Sequence, residues 1–226
     1  MYRNTFLSVM FLACCFNGSL CAQSDAQIYE RTCDAKTYAF SDPSPVATPN
    51  NSYYPYFRFD GFSMQAQEKQ WKMVVLENDY VKLTVTPEIG GKIWGAIDKV
   101  NNKEFVYTNG VVKFRDVAMR GPWTSGGIEF NFGIIGHAPT CSTPIDYLTK
   151  KNVDGSVSCH IFSYEWITRT VWNVEISLPK DKAYFTTHTT WFNQSSIDQP
   201  YYQWMNAGYA TKTGTRFYYP GTYSIG

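Results

Sequence analysis

The residues richest in chemistry fall in one run, Arg120-Gly-Pro-Trp-Thr-Ser-Gly-Gly-Ile-Glu-Phe-Asn-Phe-Gly-Ile-Ile-Gly-His137. It holds an arginine, a tryptophan, a carboxylate, an amide and a histidine, the parts from which sugar sites are built. Read as a strand, its alternation puts Ile128, Phe130 and Phe132 on one face and Glu129 and Asn131 on the other. The glycines beside them leave an open polar floor where a ligand can approach the backbone closely. Glu129 and His137 are therefore the candidates for acid–base chemistry, and Arg120, Trp123 and Asn131 the candidates for binding. Trp204 and Asn206 alternate on one face of a later strand and could line the same concavity. The plain alternative is a Gly-rich edge strand whose Glu129 pairs with Arg120 on the surface.

Other chemistries leave no trace. There is no His-Glu-x-x-His, no paired Cys-x-x-Cys, no phosphate-binding Gly loop leading into a helix and no Gly-x-Ser-x-Gly elbow. Neither a metal nor a cofactor is expected. The net charge of +1 is spread over scattered lysines and arginines, which argues against nucleic acid or an anionic membrane surface as a partner. Aromatic residues make up 17% of the chain; they suit strands, and they also suit the stacking of sugar faces.

Residues 1–22 have the parts of a signal peptide: Arg3 at the start, a short apolar core over Thr5–Phe16 and small residues at Leu20-Cys21-Ala22. That core is too short to span a bilayer, which takes about 20 residues. The mature chain is expected to be exported to the periplasm or outside the cell, without a membrane span. None of Cys14, Cys15 and Cys21 has a good lipidation setting, so a lipoprotein is the lesser expectation. Cys33, Cys141 and Cys159 remain after cleavage. With a two-residue hairpin turn at Asp154-Gly155, residue 159 faces residue 150. Cys141 then lies far beyond the roughly 4–7 Å between Cα atoms that a bridge tolerates. The three read as structural thiols.

The elements that must position the candidates are strands. Residues 23–70 read as a leader without regular structure, with the cluster Tyr53, Tyr54, Tyr56, Phe57 and Phe59 docking on the main domain at 71–226. Val81, Leu83 and Val85 alternate with polar residues in a half-buried strand ending at Pro87, and Gly90-Gly91 turns the chain. Further strands are expected at Lys92–Ile97, at Glu104–Tyr107, continuously over Tyr164–Leu178, at Ala183–Asn193 and at Tyr201–Ala210. No apolar stripe has the helical period. The fold class is all-β, a sandwich or barrel of antiparallel strands.

The segments Val75-Leu-Glu-Asn-Asp-Tyr80 and Thr86-Pro-Glu-Ile-Gly-Gly-Lys-Ile-Trp94 resemble the opening of galactose mutarotase-like domains. The longer Arg120–His137 run resembles more closely one secreted bacterial group, the domain of unknown function 5107 family, often followed by tetratricopeptide repeats. The likeness extends over roughly residues 36–226. It implies a β-supersandwich binding sugar on the concave face of one sheet, with a histidine as general acid and a glutamate as base in the true mutarotases. It also implies more strands after Gly226, so the domain is expected to be incomplete at its C-terminus. Open edges there would favour self-association.

Together these readings describe an exported carbohydrate-active protein, glycoside hydrolase-like, with Glu129 as the lead carboxyl and Asp116, Asp146 or Glu165 as its partner. A sugar epimerase using His137 as the acid, and a non-catalytic glycan-binding or scaffold domain, are the alternatives.

Overall fold

The computed structural model describes residues 24–40, 62–116, 122–133, 136–165, 168–211, 214–218 and 221. The expected signal peptide at 1–22, the aromatic cluster at 53–59 and Arg120 lie outside them. The described strands are β1 (Gln27–Phe40), β2 (Phe62–Glu77), β3 (Val81–Thr86), β4 (Lys92–Asp98), β5 (Lys103–Val106), β6 (Val111–Lys113), β7 (Arg115–Asp116), β8 (Pro122–Trp123), β9 (Ile128–Phe132), β10 (Asp146–Lys151), β11 (Val157–Glu165), β12 (Thr170–Leu178), β13 (Thr186–Asn193) and β14 (Gln203–Ala207). Short 3-10 turns at Pro87–Ile89 and Pro139–Ser142 complete them. The chain is all-β.

The large sheet runs β14-β9-β4-β3-β2-β1-β6, with β5 also paired to β4. Its ladders are antiparallel except for β1 beside β6. A second sheet, β10-β11-β12-β13, is antiparallel throughout. Strand alternation makes the two pack. Val74, Leu76, Leu83, Ile93, Phe130 and Phe132 of the large sheet share one core with Cys159, Ile161, Trp172, Val174 and Ile176 of the small one. Phe132 and Trp172 stack across this interface with centroids 4.5 Å apart and planes 9° from parallel. The other face of the large sheet carries a smaller cluster of Trp71, Met73, Ile89, Trp94, Val112 and Phe114.

Pro87 sets the 3-10 turn after β3, and Gly90 and Gly91 follow with φ of +63° and +67°. Left-handed backbone at two successive positions is open to glycine without cost, and it returns the chain into β4.

Three sequence expectations meet a different structure. Within 23–70 the described residues are not irregular: β1 pairs along the whole of β2, from Gln27↔Glu77 to Phe40↔Phe62. Most of β1 and of β2 before Trp71 is exposed, so apolar alternation is weak there. Besides the pairing, Cys33 and Ala35 pack on the Trp71–Met73 cluster, and Thr37 accepts the Trp71 indole at 2.9 Å. The expected continuous strand over Tyr164–Leu178 is instead a hairpin. The Glu165 carboxylate takes the Thr168 amide at 2.6 Å and the Thr168 hydroxyl, and Arg169 adopts φ of +54°. Thr170 to Leu178 then alternate as expected, with even positions buried. Finally, residue 159 faces Thr149 and not residue 150. The loop runs from Asn152 to Ser156, closed by the Asn152 amide on the Ser156 carbonyl at 2.8 Å. Cys33, Cys141 and Cys159 are free thiols.

Because Trp172 is 1% exposed and stacks across both sheets, Trp172→Ala should lower stability by about 3–5 kcal/mol, measured as a fall in the urea midpoint.

Candidate functional site

All five residues of β9 are buried. Ile128, Phe130 and Phe132 point into the core between the sheets. Glu129 and Asn131 point to the opposite face, where the chain returns through His137 and the Pro139–Ser142 turn. Asn131 organises that return. Its Oδ1 accepts the Ala138 amide at 2.9 Å and the Cys141 thiol at 3.0 Å, which fixes which end of the amide is oxygen. Its Nδ2 is thereby aimed at Glu129 and donates to Oε1 at 3.1 Å. The same Oε1 lies 2.5 Å from His137 Nδ1. With Nδ1 turned to Glu129, the His137 ring directs Nε2 away from that carboxyl. Glu129 Oε2 is buried without a hydrogen-bond partner among the described residues.

Two tryptophans border the pair. The Trp204 ring meets His137 edge-on at 5.0 Å and is anchored by Nε1 donating to the Gly136 carbonyl at 3.2 Å. The Trp123 ring lies 6.5 Å from His137. The β14–β9 register pairs Trp204 with Asn131 and Asn206 with Glu129, so the side chains of each pair share one face. Of the residues singled out from sequence, Trp123, Glu129, Asn131, His137 and Trp204 meet here. Asn206 joins them by register, and Arg120 lies outside the described residues. The candidate second carboxyls fall elsewhere. Asp146 and Glu165 belong to the small sheet, and the Glu165 carboxylate is committed to its turn. Asp116 lies in β7, which pairs with the Trp123 strand.

Lys92 is a component that sequence reading passed over. The pairing of Ile93 with Ile128 places it opposite Glu129 in the antiparallel register. Its Nζ is buried and donates to the Thr124 carbonyl at 2.7 Å and hydroxyl at 2.8 Å. Burial drives the pKa of this ammonium down to about 8, against the pull of the Glu129 charge. Gly127 makes the approach possible. With φ of +65°, any Cβ there would meet the Ile93 carbonyl at 2.4 Å and Lys92 Cε at 2.8 Å. The signal in the sequence was a lysine between Gly91 and the strand residues Ile93 and Trp94. Cys141, read from sequence only as a structural thiol, is buried here, and burial beside Glu129 pushes its thiol well above the usual range. Among the described residues no cluster of three or more His, Cys, Asp or Glu could hold a metal.

Residues 48–226 match the domain of unknown function DUF5107. The chain belongs to the DUF5107 family. A solved structure, a TPR-domain containing protein from Parabacteroides distasonis ATCC 8503, is similar at 26% identity and a TM-score of 0.73, over 82% of this chain. The match takes in 32% of that protein, so the DUF5107 chain spans about a third of its length.

The buried lysine gives this DUF5107 chain a characteristic pH response. From about pH 8 the folded Lys92 loses its proton while the unfolded chain keeps it. At this site the unfolded state then binds more protons, which should raise stability by about 1 kcal/mol between pH 8 and 9 relative to a chain lacking the buried lysine. The unfolded thiols begin to ionise in the same range, whereas burial holds folded Cys159 protonated up to about 12 and raises Cys141 well above its ordinary value; this opposite effect offsets the lysine gain and overtakes it as the pH rises. Urea titrations between pH 8 and 9 should show the unsubstituted chain gaining about 1 kcal/mol relative to Lys92→Met, with both losing stability at higher pH as the unfolded thiols ionise.

Proposed function

We propose that this DUF5107 chain is a carbohydrate-binding domain of an exported protein, holding sugar on the face of the large sheet that carries Glu129, His137, Trp123 and Trp204. The observation that carries this reading is the 2.5 Å contact of His137 with a buried carboxylate, set beside two tryptophan rings. A sugar needs directional partners for hydroxyls and flat apolar surface for its ring faces. The likeness to galactose mutarotase-like domains supports the same location.

Within the enzymatic readings, the contact favours proton transfer by His137 over two-carboxylate hydrolysis. Glycoside hydrolysis takes two carboxyls about 5–9.5 Å apart across the scissile bond. Glu129 is 3% exposed and already engaged at Oε1, which suits it to orient an imidazole better than to attack a substrate. His137, with Nδ1 held by Glu129, would exchange a proton at a ring oxygen or anomeric hydroxyl through Nε2, as an epimerase requires.

Calorimetric titration with a panel of monosaccharides and glycans tests the binding. Trp123→Ala or Trp204→Ala should weaken binding by roughly 1–3 kcal/mol, by analogy with base stacking on aromatic rings. Unchanged affinity in both would assign the rings to packing. Exchange between sugar anomers, followed by NMR, tests the chemistry: catalysis lost in His137→Asn and reduced in Glu129→Gln supports proton transfer. Binding without catalysis identifies a binding module.

A further inference from the structure

We infer that a groove over β1, β3, β4 and β5 is a second sugar subsite, so that the ligand of this sheet face is an oligosaccharide. The inference rests on the carbohydrate reading above and extends it to a substrate class.

The groove encloses about 410 Å³, within the roughly 300–1,000 Å³ of small-ligand sites. Register places its walls. Lys82 faces Ile97, and Ile97 faces Glu104, in one row across β3, β4 and β5. Thr84 faces Gly95 in the neighbouring row. These positions alternate with core-facing Val81, Leu83 and Ala96, so they look out from the same side of the sheet as Lys92 and Trp94. Gly95 shapes the floor, because a Cβ there would meet the Thr108 hydroxyl at 2.0 Å. Thr108 can therefore close down onto β4.

The chemistry on offer suits a neutral polyhydroxylated ligand. Arg31 and Glu104 are exposed and have no ion-pair partner among the described residues, so a guanidinium fork and a carboxylate stand ready for paired bonds to neighbouring hydroxyls. Lys82 lies 3.6 Å from Glu77, which also pairs with Lys99 at 2.7 Å, and Asp34 adds a second carboxylate to the lining. Such a mixture offers donors and acceptors without a strong field of either sign.

Continuity with the Glu129–His137 site turns two sites into one track. Trp94 lines the groove, and its ring lies 5.9 Å from Lys92 Nζ. The Trp94 indole donates to the Asn109 carbonyl at 3.2 Å, and the Asn109 amide donates to Ser125 at 2.7 Å. Lys92 holds the adjacent Thr124. One short segment thus braces both sites from between them.

Calorimetry with neutral oligosaccharides of increasing length, beside their constituent monosaccharides, provides the test. Longer ligands should bind at least about tenfold tighter. Arg31→Ala and Glu104→Gln should erase that gain and leave monosaccharide affinity unchanged. Gly110→Trp should do the same by filling the groove, since a Cβ there meets nothing within 4 Å. Cys33 lines the groove and is the one partly exposed thiol among the described residues. Its alkylation by iodoacetamide, read by peptide mass spectrometry, should be slowed by an oligosaccharide and not by a monosaccharide. If length brings no gain, or the groove variants retain it, the subsite is overturned while the carbohydrate reading stands. If no sugar of any length binds, both fall.

Discussion

Glu129 places a carboxyl group on the strand next to the edge of the large sheet at 3% exposure, and burying such a group is costly unless it is paired and hydrogen-bonded. Removing one partner of a buried ion pair commonly destabilises by about 3–5 kcal/mol, because the remaining charge is left uncompensated. The surroundings of Glu129 respond to that constraint. Asn131 and His137 supply donors to one oxygen, and Lys92 supplies positive charge from the neighbouring strand. Asn131 can turn its amide toward Glu129 only because Ala138 and Cys141 occupy its oxygen. The return of the chain through residues 137–142 is thus tied to the same charge.

The two faces of the large sheet divide the work. One is apolar and packs on the small sheet, where the Phe132–Trp172 stack and the aliphatic rows give an interior without polar demands. The other holds the ionisable groups, the tryptophans and the groove. Period-two alternation lets one strand serve both faces, and β9 does so within five residues.

That alternation is also why much of the fold could be read from sequence. Val81–Val85 and the buried even positions from Thr170 to Leu178 betray their strands directly, and Gly90-Gly91 marks its turn. Legibility ended where structure rests on pairing or on a single side chain. β1 and the outer half of β2 have little to bury, so no pattern separates them from a loop. The corner at 165–170 contains no glycine or proline; it is held by Glu165 bonding to Thr168, while the alternation runs on through it undisturbed. For the site, the Glu129–Asn131 face was readable from the five residues of β9. Lys92 was not, because its meaning depends on the partner strand, which lies more than thirty residues away in sequence.

β14 closes one end of the large sheet by pairing with β9, yet the whole of β10 to β13 is interposed between them along the chain. The small sheet is therefore a loop that must be spanned before Trp204 can reach Gly136. Contacts so distant in sequence form late, since loop closure is costly before they can contribute. The core itself joins still more distant residues, Val74 and Leu76 with Val174 and Ile176, so the wall that completes the candidate site is expected to assemble together with the core and not ahead of it.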